Sequence, residues 1–125
     1  MTTPETRQWA LEFGTAWSVP EEIDKLVSEG KLFDQSWHND TLPSFSRQVG
    51  TTLFTLYVDH VTPDEREFPQ NNRFAVDLVA CDAEGNPIEN ADYTRPYLYD
   101  GDSLADCLST LMLAIHNANM SQSMR

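Results

Sequence analysis

Cys81, Cys107, His38, His60 and His116 are the side chains best suited to act as nucleophile, general base or soft metal ligand. Their spacing assembles none of those sites. No histidine stands four residues from another, and no Cys-x-x-Cys pair occurs, so the common zinc frameworks are missing. Cys107 and His116 fall nine residues apart on one C-terminal helical pattern, too far for a thiol–imidazole hydrogen bond. Asp59 and His60 adjoin on a strand and therefore point to opposite faces, whereas His38 and Asp40 can share one side of a loop. The run Asp82-Ala83-Glu84-Gly85-Asn86-Pro87-Ile88-Glu89 has some of the acids of a calcium loop. It is shorter than that loop's pattern and contains a proline, so a hairpin turn fits it better. Asp100-Gly101-Asp102 reads as a turn feeding a helix cap, and no glycine-rich phosphate loop is present. The sequence thus predicts no catalytic residue, no metal site and no cofactor. Both cysteines read as buried, unreactive thiols.

What the chain does carry in quantity is carboxylate. Twenty Asp and Glu stand against eight Lys and Arg, a formal net charge of −12 over 125 residues. The excess is uneven. Residues 1–48 hold eight acids and four bases, and residues 49–125 hold twelve acids and four bases. The window from 82 to 106 alone has seven acids (Asp82, Glu84, Glu89, Asp92, Asp100, Asp102 and Asp106) against Arg95. A second cluster is Asp59, Asp64, Glu65 and Glu67 around Arg66. These positions fall on turns, strand ends and a first helical turn, all of which are expected to be exposed. A field of this sign repels nucleic acid and anionic membrane and attracts cationic partners. It also costs stability through self-repulsion, a cost that solubility, a salt-rich habitat or a basic partner can each explain.

Carboxylates two residues apart on a strand sit about 6.6 Å from one another, comparable to neighbouring phosphates along one nucleic-acid strand. In charge and size, though in no residue motif, the chain resembles small inhibitors carried by phages and plasmids against restriction and CRISPR complexes. It is similar in the same two respects to immunity proteins that neutralise basic nucleases. That likeness implies a non-enzymatic binding protein that inhibits a basic nucleic-acid-binding protein or nucleoprotein complex as a nucleic-acid mimic. The two acidic clusters would form its binding surface, together with Tyr97 and Tyr99, which are expected to share one face of an edge strand. Such a protein binds neither nucleic acid nor membrane directly, and a dimer is compatible with it. Two alternatives are an immunity protein or accessory subunit for one cognate partner, using the tyrosine edge more than the charge, and a small metal-dependent enzyme.

The elements that must position these residues follow from periodicity. The expectation is one domain spanning 1–125, with a helical and loop part over 1–48 and a β-β-β-α part over 49–125. Thirteen aromatics argue for a packed core. Residues 4–13 predict a short helix. Ser18-Val19-Pro20-Glu21 has the form of a capping box for a second helix that carries Ile23, Leu26 and Val27 and ends at Gly30. Residues 31–47 mix aromatics with turn formers and read as a loop that pins Trp37 and Phe45 into the core. Alternation predicts strands over 51–61 and 73–81, then a bent third strand over 87–90 and 93–99 with Pro96 marking an edge. Leu104, Leu108, Leu111, Met112 and Ile115 form the apolar face of a final helix ending near Asn117–Asn119. The fold class is α+β: a three-stranded antiparallel meander with N-terminal helices and a C-terminal helix packed on one face. The order β-β-β-α is similar to the later part of double-stranded-RNA-binding domains, whose function the negative charge argues against. The N-terminus lacks a basic region followed by an apolar run, no stretch reaches membrane-span length, and the cytoplasm is the expected location.

Overall fold

The structure, a computed structural model, describes residues 7–88 and 97–123. The chain runs α1 (Gln8–Phe13), a 3-10 turn (Thr15–Trp17), α2 (Glu21–Ser28), β1 (Phe33–Asp34), β2 (Ser44–Val49) and β3 (Thr52–Val58). A second 3-10 turn (Pro63–Glu65), β4 (Phe74–Ala80), β5 (Tyr99–Gly101) and α3 (Leu104–Ser123) follow. The class is α+β as expected, but the antiparallel sheet has five strands rather than three, in the order β1-β2-β3-β4-β5. The two additional strands, β1 and β2, come from the segment read as a loop. The third strand expected over 87–90 and 93–99 is largely outside the described residues. What is described there is a bridge of Pro87 to Cys81 and the short strand β5.

Pairing register sets which side chains share a face, because directly opposed residues point the same way. Phe45, Leu56, Val76 and Tyr99 form one cross-sheet row, and Val58 opposes Phe74. This face carries the core. Phe45, Leu56, Val58 and Val76 are fully buried, covered by Trp9 and Ala10 of α1, Ile23 of α2, and Cys107, Leu111 and Ile115 of α3. The last three recur every fourth residue and so form one helical stripe. Each fully buried aliphatic or aromatic side chain contributes about 1.5–3 kcal/mol, against about 0–1 kcal/mol for an exposed ion pair. The core, not surface charge pairing, therefore holds this fold. The three helices of the described residues belong to that single core, and among the described residues no helix covers the opposite face of the sheet.

Local chemistry changes two helix boundaries. Ser18 makes no capping hydrogen bond and adopts a left-handed conformation (φ 56°, ψ 49°), and Pro20 occupies the N-cap of α2. The cause is tertiary. Arg73 Nη2 donates to the Ser18 carbonyl at 2.7 Å and to that of Trp17 at 3.3 Å, while Trp17 Nε1 donates to the Val58 carbonyl at 2.8 Å. These bonds fix the turn and draw Ser18 away from the helix amides. At the other end of the chain, α3 continues past Asn117 and Asn119 to Ser123. Ala118 still packs on the core, and an exposed Asn costs a helix only about 0.7 kcal/mol or less. Phe45 is buried as expected, whereas Trp37 is exposed and stacks on His38 with ring centroids 4.3 Å apart. Among the described residues no helix is long and apolar enough to cross a membrane.

Candidate functional site

The face of the sheet turned away from the helices is the floor of an open cleft of about 850 Å³. Its rows are Ser44–Tyr57–Ala75–Asp100, Ser46–Thr55–Asp77 and Gln48–Leu53–Val79. Three segments wall it: residues 35–44 on one side, 70–73 following β3, and the hairpin Gly85-Asn86-Pro87 at the far end, with Tyr97 beside β5. The charged lining among the described residues is Asp40, Asp59, Asp77 and Asp100 against Arg73, so four carboxylates face one guanidinium.

Each wall is built by polar side chains bound to backbone. Arg66 Nε donates to the His60 carbonyl at 2.8 Å and Nη1 to that of Asn71 at 2.6 Å, closing the 59–72 loop on itself. His60 Nδ1 accepts the Thr62 amide at 2.9 Å. At the far end, Asp82 accepts the amides of Glu84 (3.0 Å) and Asn86 (2.9 Å), an Asx turn that shapes the hairpin. Those donors hold the Asp82 carboxyl below the usual carboxylate range. Gly85 has φ +88°, a conformation that favours glycine, and an added Cβ would meet Gln48 Oε1 at 2.7 Å, so the Gln48 side chain would have to shift. Gln48 in turn donates to the carbonyls of Gly50 and Ala83 at 2.8 and 3.0 Å, fastening the hairpin to β2.

Arg73 has a structural use as well. Besides its bonds to Trp17 and Ser18, its ring-side neighbour is Phe74, whose centroid lies 5.2 Å from the guanidinium carbon. Burial pushes its pKa down, as does Arg66, while Asp59 acts the other way. Arg47 likewise reaches backbone, the carbonyl of Lys31 at 3.3 Å. Among the described residues, Arg47, Arg66 and Arg73 thus direct their guanidinium groups to carbonyl oxygens rather than carboxylates. The ion pairs among the described residues are Arg7–Asp24, Lys31–Glu29 and His38–Glu12, none of which involves a cleft acid.

The sequence-predicted binding residues divide accordingly. Asp59, Tyr97 and Asp100 line the cleft, so it brings together one acid from each of the two acidic clusters and one of the two tyrosines. Asp59 is buried, not exposed as expected: its carboxylate accepts the His60 amide at 2.8 Å. Asp64, Glu65, Glu67 and Glu84 are exposed outside the lining. Asp102 accepts the Arg73 amide at 2.8 Å, which anchors the start of β4, and Asp106 lies in the first turn of α3. Glu89 and Asp92 lie outside the described residues, as does Pro96. Tyr97 and Tyr99 do not share a face. Tyr97 turns to the cleft, while Tyr99 packs on the core and its hydroxyl accepts the Ser103 amide at 2.9 Å. The backbone bends at Leu98 before β5 begins, so the alternation assumed for a continuous strand does not apply. Asp77, Thr55, Tyr57 and Asp40 were not among the expected site residues. Asp77 and Thr55 were visible as the polar members of two alternating strands, but only the register brings them opposite one another.

Nucleophile chemistry finds little support in this geometry. Cys107 is buried in the core and desolvation pushes its thiol up to about 12. Burial, and then Asp82, push the Cys81 thiol up as well. Among the described residues no group of three or more His, Cys, Asp and Glu side chains converges to hold a metal ion. Compared with protein-family models, curated proteins and solved structures, the chain matches none.

Proposed function

We propose that the protein is a non-enzymatic acidic binding protein that occupies the basic nucleic-acid-binding surface of a protein or nucleoprotein partner. One observation carries this: the arginines nearest the cleft are committed to backbone carbonyls, so its carboxylates form no ion pair with a described residue. A net charge of −12, with the cleft acids outside every ion pair among the described residues, is a field that accelerates encounter with a cationic surface. The concave sheet face gives that field a shape into which basic side chains can reach. Inhibition follows from competition, because nucleic acid and this chain would address the same cations on the partner.

Immobilised protein incubated with host lysate tests the proposal at about 50 mM and about 300 mM salt, where the Debye length falls from roughly 14 to 6 Å. The expected result is capture of nucleic-acid-binding proteins that leave with salt or with added DNA or RNA. Capture of one protein that resists both salt and nucleic acid would replace the mimic with a cognate-partner interaction. Capture of nothing basic at either salt would overturn the proposal.

A further inference from the structure

The cleft contains a hydroxyl that the sheet does not use. Thr55 is 8% exposed and lines the cleft, and its side chain has no hydrogen-bond partner among the described residues. A hydroxyl that no protein group engages keeps one donor and two acceptor positions for a ligand. Among the described residues no sealed side-chain N or O atom lacks a partner, so this hydroxyl opens to the cleft rather than into packed protein. Directly opposite on β4 stands Asp77, with Cβ atoms about 4.5–5.5 Å apart in such a pair. One Asp77 oxygen accepts the Leu78 amide at 2.8 Å, leaving acceptor capacity on the carboxylate. Tyr97, 49% exposed, adds an aromatic ring to the same lining.

A carboxylate beside a hydroxyl, a neighbouring ring and a surplus of negative charge together complement a guanidinium. That group presents several donors in one plane, keeps its charge at all ordinary pH and stacks on aromatic faces. An ammonium has neither the planar fork nor the flat face. The chain's own Arg73 does not serve the purpose, because its Nη2 is bound at the far side to Trp17 and Ser18. We propose that the cleft seats an arginine side chain from a basic segment of the partner, its guanidinium on the Asp77 carboxylate and the Thr55 hydroxyl with Tyr97 against its flat face. This assignment rests on the charge-driven binding proposed above and adds to it a fixed seat and a preference for arginine over lysine.

The test is titration of the full chain with fluorescein-labelled octa-arginine and octa-lysine at low salt, read by anisotropy. Octa-arginine should bind about fivefold or more tightly than octa-lysine. Thr55→Val and Asp77→Asn should each weaken octa-arginine by about fivefold to tenfold, and Glu21→Gln on α2 by less than about twofold. Thr55→Val keeps the β-branch and Asp77→Asn keeps an acceptor for the Leu78 amide, and melting curves verify that each variant is folded. If the two peptides bind equally and Asp77→Asn behaves like Glu21→Gln, the arginine seat is overturned while charge-driven binding stands. If neither peptide binds the wild-type chain, the charge-driven binding itself is overturned.

Discussion

Asp24 illustrates how much one carboxylate's surroundings decide. It sits on α2 with 7% of its surface exposed, accepting the Trp9 indole N–H at 2.9 Å and pairing with Arg7. Asp34 stands near, its Oδ2 accepting the Trp9 backbone amide at 3.0 Å and its Oδ1 that of Ser36 at 3.0 Å. Trp9 is thus held between two acids of different elements, which ties α1 to both α2 and β1. Burial raises the Asp24 pKa, and the Asp34 charge adds to the rise, against the opposing pull of Trp9 and Arg7. For an acid whose folded pKa lies above its unfolded value of 3.8, the folded state holds more protons between those two points. Stability from this group therefore increases as pH falls through the folded pKa and levels off below the unfolded one. Urea midpoints of wild type and Asp24→Asn, taken from about pH 7 down to about pH 4.5, isolate the effect, because all other titrations are shared. The wild type should gain on the variant as pH drops. A difference that is flat or runs the other way would show that the Arg7 and Trp9 contacts outweigh desolvation.

The junction between β5 and α3 makes the corresponding case for elements. Tyr99 accepts the Ser103 amide, Ser103 Oγ accepts the Asp106 amide at 3.1 Å, and the Ser103 carbonyl accepts the Cys107 amide at 2.9 Å. One residue thus ends the strand connection and caps the helix. Gly101 lies under the Tyr99 ring: an added Cβ would fall 2.5 Å from the tyrosine oxygen and 2.8 Å from Cζ. Gly101→Ala must displace the ring and break its bond to Ser103, at a cost of about 1–3 kcal/mol. Ser103→Ala should cost about 1 kcal/mol through the cap alone. The two together should cost less than their sum in urea denaturation, since both act on one hydrogen-bonded chain. Strict additivity would sink that linkage. The same junction shows why parts of the fold were not legible. Asp100-Gly101-Asp102 has the composition of a turn, and only the anchoring of Asp100 by Asn72 (3.2 Å) and of Asp102 by the Arg73 amide makes it a strand end. In β2 the core-facing positions are Phe45, Arg47 and Val49; Arg47 interrupts the apolar alternation because its guanidinium runs out to the Lys31 carbonyl. β3, β4 and the buried stripe of α3 were legible because burial of one face imposes an uninterrupted period. The cleft was not, since Thr55 and Asp77 are 22 positions apart in sequence and meet only through pairing register.

Over the whole molecule, the sign and the placement of charge have separate consequences. The sign was plain in the composition; the placement depends on where the arginines go. Three of them bind carbonyls at the Lys31, His60 and Ser18 positions, so they stabilise loops without forming ion pairs with acids of the described residues. Carboxylates consequently repel one another across the surface of a chain with a net charge of −12. Repulsion of this kind is long-ranged and falls as the Debye length shortens, from about 30 Å at 0.01 M salt to about 8 Å at 0.15 M. Folding concentrates the charge and unfolding disperses it, so screening favours the folded state. The melting temperature should therefore rise by several degrees, roughly 3–6 °C, between those salt concentrations, a gain of about 1 kcal/mol for a domain of this size. Sodium chloride and a non-binding organic salt should act alike, because screening depends on ionic strength and not on ion identity. A rise with divalent cations alone would instead indicate site binding. A fall with salt would mean that local attractive pairs dominate, which would also remove the reason to expect salt-sensitive capture of a basic partner. Stability and binding then respond to salt in opposite directions: screening strengthens the fold while it weakens attraction to a cationic surface, and measuring both on one preparation separates a charge kept for solubility from one that acts on a partner.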